Sequence, residues 1–127
     1  MLHITLLYAG LLGIISLALS FFAGSMRGKT GISIGDGGNQ EMLLAMRRHA
    51  NFVEYVPLAL ILIGLLEFNG VSSTAIHSLG GALVVCRLAH AQGLRADTMA
   101  GLGRLIGAAG TALITLVASV WAIVIYF

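Results

Sequence analysis

The stretch EMLLAMRRHANFVEYVPLALILIGLL, residues 41–66, changes character half-way along. Its first half carries Arg47, Arg48, His49, Asn51 and Glu54, whereas Val56 to Leu66 carries no charge. Read as one helix it would be roughly 37 Å long at 1.5 Å rise per residue, more than the hydrocarbon thickness of a bilayer alone requires. A segment built this way fits a helix that crosses a membrane with a charged end at one face. Pro57 has no N–H to donate to the Val53 carbonyl, so a kink is expected there.

Composition extends that reading to the whole chain. Of 127 residues, 58% are hydrophobic and only 9% charged, and mean hydropathy is +0.99. A soluble domain carries about 25% charged residues. So few charges cannot cover a compact aqueous surface, and lipid is the solvent the chain implies. Four apolar segments are expected as helices: Leu2 to Gly24, Glu41 to Leu66, Ser72 to Gly93 and Arg104 to Tyr126. The expected fold is an all-α membrane protein, a four-transmembrane-helix bundle in which residues 1–127 form a single domain. The first segment has no Lys or Arg before its apolar core, and that core exceeds the roughly 7–15 residues of a signal h-region, so it reads as a retained helix.

Each helix carries further signals. Gly10, Gly13, Ser16, Ser20 and Gly24 recur every three or four residues on the first, a stripe where neighbouring backbones can approach closely. Gly103, Gly107, Gly110 and Thr111 form a similar groove above Arg104 on the fourth. Close helix packing is the favoured reading of that groove, and a channel for an extended anionic ligand the other. Trp121 and Tyr126 are placed as interfacial anchors. Ser25 to Gln40, rich in glycine, reads as irregular; Gly35-Asp36-Gly37-Gly38 lacks the Lys-Ser/Thr ending of a phosphate loop and reads as a turn. Glu67-Phe68-Asn69-Gly70 reads as a short turn, and Arg95 to Gly103 as a polar connection.

Charge sidedness gives orientation. The first connection and its flanks hold Arg27, Lys29, Arg47 and Arg48, the third holds Arg87, Arg95 and Arg104, and the second connection and both termini hold none. By the positive-inside rule the first and third connections are cytoplasmic and both termini outside. The net charge of +2 and the absence of any basic run give no support to nucleic-acid binding. The single cysteine, Cys86, rules out an internal disulfide. His49, His77 and His90 show no metal-ligand spacing, and no metal site is expected; His77 reads as a packing or interfacial residue at the opposite face.

An Arg, Lys or Asp at the centre of a bilayer costs about 2.5–3.5 kcal/mol on insertion scales. Arg47, Arg48, Glu54 and Arg87 must therefore sit near the headgroups or face a shielded, wet cavity. Arg47, Asn51 and Glu54 are spaced i, i+4, i+7 and share one helical face; Arg48 and Tyr55 share an adjacent one; Arg87 and His90 are i, i+3; Arg104 opens the fourth helix on the same side. These residues can converge on one pocket. The plainer reading has Arg47, Arg48 and Arg95 reaching lipid phosphates while Glu54 pairs with Arg87. For Glu54 and Asn51, too short to reach the interface, function is the stronger reading.

Arg47-Arg48-His49-Ala50-Asn51-Phe52-Val53-Glu54-Tyr55-Val56-Pro57 resembles the helix 2 signature of the MAPEG family, membrane-associated proteins in eicosanoid and glutathione metabolism. Arg87-Leu88-Ala89-His90 resembles the family's helix 3 motif, and the four-helix layout matches throughout. The resemblance implies a homotrimer, as in the compact bacterial members, in the inner membrane and with its active site toward the cytoplasm. It also implies glutathione as cosubstrate, bound as thiolate between subunits. Arg47, Asn51, Glu54 and Tyr55 match positions that hold the tripeptide, Arg87 and His90 the helix 3 contacts, and Arg104 the arginine near the sulfur. Arg27 lies where some members supply a further arginine.

Two departures matter. Leu94 stands where some eicosanoid-forming members carry tyrosine, and Ala50 where one carries a second arginine. They argue against a particular eicosanoid synthase and leave a detoxifying glutathione transferase or peroxidase acting on a hydrophobic electrophile or lipid hydroperoxide. The alternatives are a non-catalytic lipid- or ligand-binding protein on the same scaffold, and a small transporter. Polarity confined to one side makes a through-pathway the weakest of the three.

Overall fold

The computed structural model describes residues 1–94 and 101–127. Over these residues the chain forms four helices and no strand: α1 His3–Thr30, α2 Gln40–Phe68, α3 Ser73–Gly93 and α4 Leu102–Tyr126. α1 packs on α2 and α3, α4 packs on α2 and α3, and α1 and α4 do not approach one another. Leu12 of α1, Phe52, Val56, Ala59, Ile63 and Leu66 of α2, Ile76, Leu83 and Cys86 of α3, and Ile114 and Ala118 of α4 form the main core. A smaller cluster of Met26, Met42 and Ala45 joins the other ends of α1 and α2.

Leucines, isoleucines and phenylalanines such as Leu6, Ile14, Leu17, Phe21, Leu113, Leu116 and Val124 stand exposed along α1 and α4. In water such surfaces would be untenable; in a bilayer they are the lipid-facing sides. α1, α2 and α4 are long and apolar enough to span. α3 is more polar along its 21 residues, yet Ile76, Gly80, Leu83, Cys86, Arg87 and His90 are buried within the bundle. Its polarity is tolerated because the other three helices surround it. The protein is a four-helix membrane bundle.

Several boundaries differ from the sequence expectation. α1 continues past Gly24 to Thr30, because Ser25 and Thr30 bond their hydroxyls to the carbonyls of Phe22 and Met26 and because Arg27 and Lys29 suit the negative end of the helix dipole. Gly31, at φ 70°, ends it in the left-handed conformation. α2 begins at Gln40, capped by the Asn39 side chain accepting from the Met42 amide at 3.0 Å, and runs through Pro57. The Asp36 to Gly38 segment is the plain turn expected, with the Gly38 amide donating to Asp36 Oδ1 at 3.1 Å.

The small-residue stripe of α1 does not serve packing within the chain. A Cβ at Gly10, Gly13 or Gly24 would meet nothing within 4 Å. α1 instead buries Thr5, Leu12 and Met26, and lays the Tyr8 ring over Gly80, where a Cβ would overlap it. The Tyr8 hydroxyl lies 3.0 Å from His77 Nδ1, which makes His77 the packing residue expected. Trp121 packs against the main core rather than standing free, while Tyr126 is exposed at the end of α4.

Glu67 was expected in a turn. It lies instead in the last turn of α2, and its carboxylate accepts from the amides of Ile4 at 2.8 Å and Thr5 at 2.7 Å. The first amides of a helix have no intrahelical acceptor, and an anion there also meets the positive end of the dipole. One side chain thus joins the start of α1 to the end of α2. Replacing Glu67 with Ala should cost about 1 kcal/mol, seen as a lower unfolding midpoint in detergent; an unchanged midpoint would show that the cap contributes nothing.

Candidate functional site

The Arg27 end of α1, the start of α2, the end of α3 and the start of α4 lie at one end of the bundle. At the opposite end the α1 amides meet Glu67, and Leu66 and Asn69 share a small cavity with Ile125 and Tyr126. The charge asymmetry of the sequence is therefore an asymmetry of the fold. At the basic end, α2 supplies Gln40, Leu43, Leu44, Arg47 and Asn51, α3 supplies His90 and Leu94, and α4 supplies Arg104, all lining one cavity of about 300 Å³. Ligand pockets commonly span about 300–1,000 Å³.

The cavity does not end there. Asn51 also lines a neighbouring space of about 340 Å³ with Tyr55, Arg87, Ala108, Ala109 and Ala112. Tyr55 and Ala112 in turn border a third, about 480 Å³, with Glu54, Leu58, Thr115, Leu116 and Ser119. Shared residues join the three into a cleft between α2 and α4. It is cationic at the membrane face and increasingly apolar toward the middle.

Arg87 is 2% exposed. Its Nη1 donates to Asn51 Oδ1 at 2.9 Å and its Nη2 to the Gly107 carbonyl, which also accepts from the Thr111 hydroxyl. The pairing of Arg87 with Glu54 entertained from sequence does not form. Glu54 lies 3.8 Å from Arg47 on the open side of α2, with both side chains about half exposed. The i, i+7 spacing of these two residues puts them two turns apart on one face, within reach of each other's long side chains.

Arg48 also departs from expectation. Rather than reaching for headgroups, it turns inward: Nη2 donates to the Leu94 carbonyl at 2.7 Å, and the guanidinium lies 5.9 Å from the centre of the Phe22 ring. It ties α2 to the end of α3 and to α1. Arg27 donates through Nη1 to the carbonyls of Ile32, Ser33 and Gly35, at 3.0–3.2 Å, and so braces its own loop. It does not line the cleft. Arg95 lies outside the described residues.

Of the residues singled out from sequence, Arg47, Asn51, His90 and Arg104 share the first cavity. Tyr55, Arg87 and Glu54 border the continuation, and Arg27 stands apart. Gln40, Leu43 and the Gly107 carbonyl were not anticipated. Gln40 falls at a helix start that read as loop, and no residue type announces a backbone acceptor. The Gly103-Gly107-Gly110 groove is closed by α3: a Cβ at Gly107 would overlap His90 and the Cys86 carbonyl, and one at Gly110 would overlap Cys86 Sγ. Close packing is its role, and no ligand channel runs there.

Residues 5–124 match the MAPEG family. The chain belongs to that family. Over 90 residues it is 36% identical to the inner membrane protein YecN of Escherichia coli K12, a match covering 71% of this chain and 69% of that protein. YecN of a second Escherichia coli strain, O6:H1, matches to the same extent. No solved structure matches the chain. Family membership accounts for the four-helix membrane fold and for the charged motif on α2.

The tight approach of α3 and α4 can be tested directly. Gly107→Val should lower the unfolding midpoint, with an overpacking cost of about 1–3 kcal/mol, whereas Gly10→Val faces open space and should leave it unchanged. Equal effects from both would contradict the packing described.

Proposed function

We propose that the protein is a glutathione-dependent transferase with peroxidase capacity, acting on hydrophobic electrophiles or lipid hydroperoxides. The observation that carries the reading is the convergence of Arg47, Asn51, His90 and Arg104, from three helices, on one cavity at the basic end of the bundle. Glutathione has two carboxylates and one ammonium at neutral pH. Two arginines suit the carboxylates, and Glu54, Tyr55 and Asn51 further along the cleft offer partners for the rest of the tripeptide. The apolar continuation toward Leu58 and Leu116 gives a membrane-dissolved substrate a route to the sulfur.

Arg104 is assigned as the catalytic residue. A free thiol has a pKa of about 8.5 and is mostly protonated at pH 7; a nearby guanidinium favours the thiolate and lowers that value. The thiolate attacks the electrophilic carbon and expels its leaving group, with the arginine stabilising the sulfur before attack; with a hydroperoxide it attacks the terminal oxygen, the O–O bond breaks to release the alcohol, and a second glutathione converts the resulting sulfenic acid to the disulfide and water.

A homotrimer is part of the proposal. Glu54 lies roughly 21 Å along α2 from Gln40 at 1.5 Å per residue, deep within the span. Arg47, Glu54 and Tyr55 stand on the open face of the chain at about half exposure. Facing lipid there is costly, and a neighbouring subunit covering that face removes the cost. In the bilayer, the basic end faces the cytoplasm of a bacterial inner membrane and both termini face outward.

Glutathione titrated into the detergent-solubilised protein should produce thiolate absorbance at neutral pH, with the thiol's titration midpoint shifted below its free value. Arg104→Ala should move the midpoint back up and slow turnover of an aromatic halide by on the order of a hundredfold, the scale of losing one transition-state charge contact. Thiolate formation without turnover of either an aromatic halide or a lipid hydroperoxide would favour the non-catalytic, ligand-binding alternative.

A further inference from the structure

The buried guanidinium of Arg87 has a consequence for how the cleft reads its ligand. Arginine carries five N–H donors and no acceptor. Whatever side-chain atom of Asn51 meets Arg87 Nη1 at 2.9 Å must therefore be the amide oxygen. Arg87 itself is held in place, since Nη2 is taken by the Gly107 carbonyl and the side chain is 2% exposed. The carbonyl is open to it because Gly107 has no side chain. Among the described residues Arg87 has no carboxylate partner, so Asn51 Oδ1 and the Gly107 carbonyl are what compensate its charge.

With its oxygen turned to Arg87, Asn51 has both Nδ2 hydrogens free, and Asn51 lines both the first and the second space of the cleft. We propose that Arg87, although it also borders the second space of the cleft, is a positioning residue whose bond to Oδ1 fixes the orientation of the Asn51 amide and leaves its Nδ2 hydrogens for the ligand. The ligand atom opposite Asn51 Nδ2 is then an acceptor oxygen, a carboxylate or peptide carbonyl of the thiol peptide. To the ligand contact that family resemblance assigns to Arg87 this adds the support of a neighbouring one. It rests on the proposed function for the nature of the ligand, but not for the pairing of the two side chains.

The discriminating variant is Asn51→Asp. An aspartate keeps the acceptor for Arg87 and sets a counter-charge beside the buried cation, while presenting an anion where the ligand needs a donor. The expected result is an unfolding midpoint equal to or above that of the wild type, together with glutathione affinity weakened about tenfold or more. Affinity equal to wild type, or a clear fall in the midpoint, would overturn the proposal.

A ligand-independent arm uses Asn51→Leu, which strands the Arg87 charge and should lower the midpoint sharply. Adding Arg87→Met should restore much of the loss, because the stranded charge is gone. Additive losses would show that the two side chains are not coupled. Were wild-type protein to bind no glutathione, the functional reading would fall, while this thermal cycle would still report on the pair.

Discussion

A cation buried between three helices is the constraint on which the basic end of this protein depends. Taking a guanidinium out of water costs several kcal/mol unless its hydrogens are satisfied. Arg87 finds acceptors for its two Nη atoms on two different helices, Asn51 Oδ1 on α2 and the Gly107 carbonyl on α4, while its Nε has no partner among the described residues. The second exists only because α3 and α4 touch through glycine: Gly93 against the backbone of Gly103 and Arg104, and Gly107 against His90. A single methyl on this seam would push α4 away, remove the acceptor and leave the charge stranded. Close packing and polar satisfaction are here one requirement.

The same seam places the groups that line the cleft. His90 is one turn beyond Arg87 on α3, and Arg104 is one turn before Gly107 on α4, so drawing the glycines together brings both side chains to the wall of the first cavity. Arg47 and Asn51 reach it from α2. Arg48 fixes the far end of α3 through the Leu94 carbonyl, while Glu67 fixes the start of α1 at the other membrane face. Polar anchors thus hold both ends of a bundle whose middle is held by apolar contact alone. That division suits a bilayer, where hydrophobic burial does little to bring helices together and specific polar contacts count for more.

Much of this was legible in the chain. Charge depletion and the apolar segments led to the membrane bundle, and the sidedness of the basic residues foretold its polarised ends, as far as the described residues show. The spacing of Arg47, Asn51 and Glu54 placed them on one face of α2, and the resemblance carried by that motif led to the family that the wider comparison established. Periodicity failed where it had to choose a partner. It could say that Arg48 lay near the membrane face, but not that Phe22 and Leu94 stood within its reach. It could say that Gly10 and Gly107 each lay on a small-residue stripe, but not that one faces open space and the other is filled.

What the sequence by itself determined was the solvent, the number of helices and the end at which the charges gather. Those follow from the cost of each residue type in hydrocarbon, which is a property of the residue. Which cation is buried, which carboxylate caps a distant helix and which amide edge faces the cleft were decided only by the tertiary structure. A donor or acceptor is assigned by what lies within about 3 Å of it, and no count along the chain supplies that distance. The pairing of Arg87 with Asn51, 36 residues apart, exists because four helices pack in one particular way.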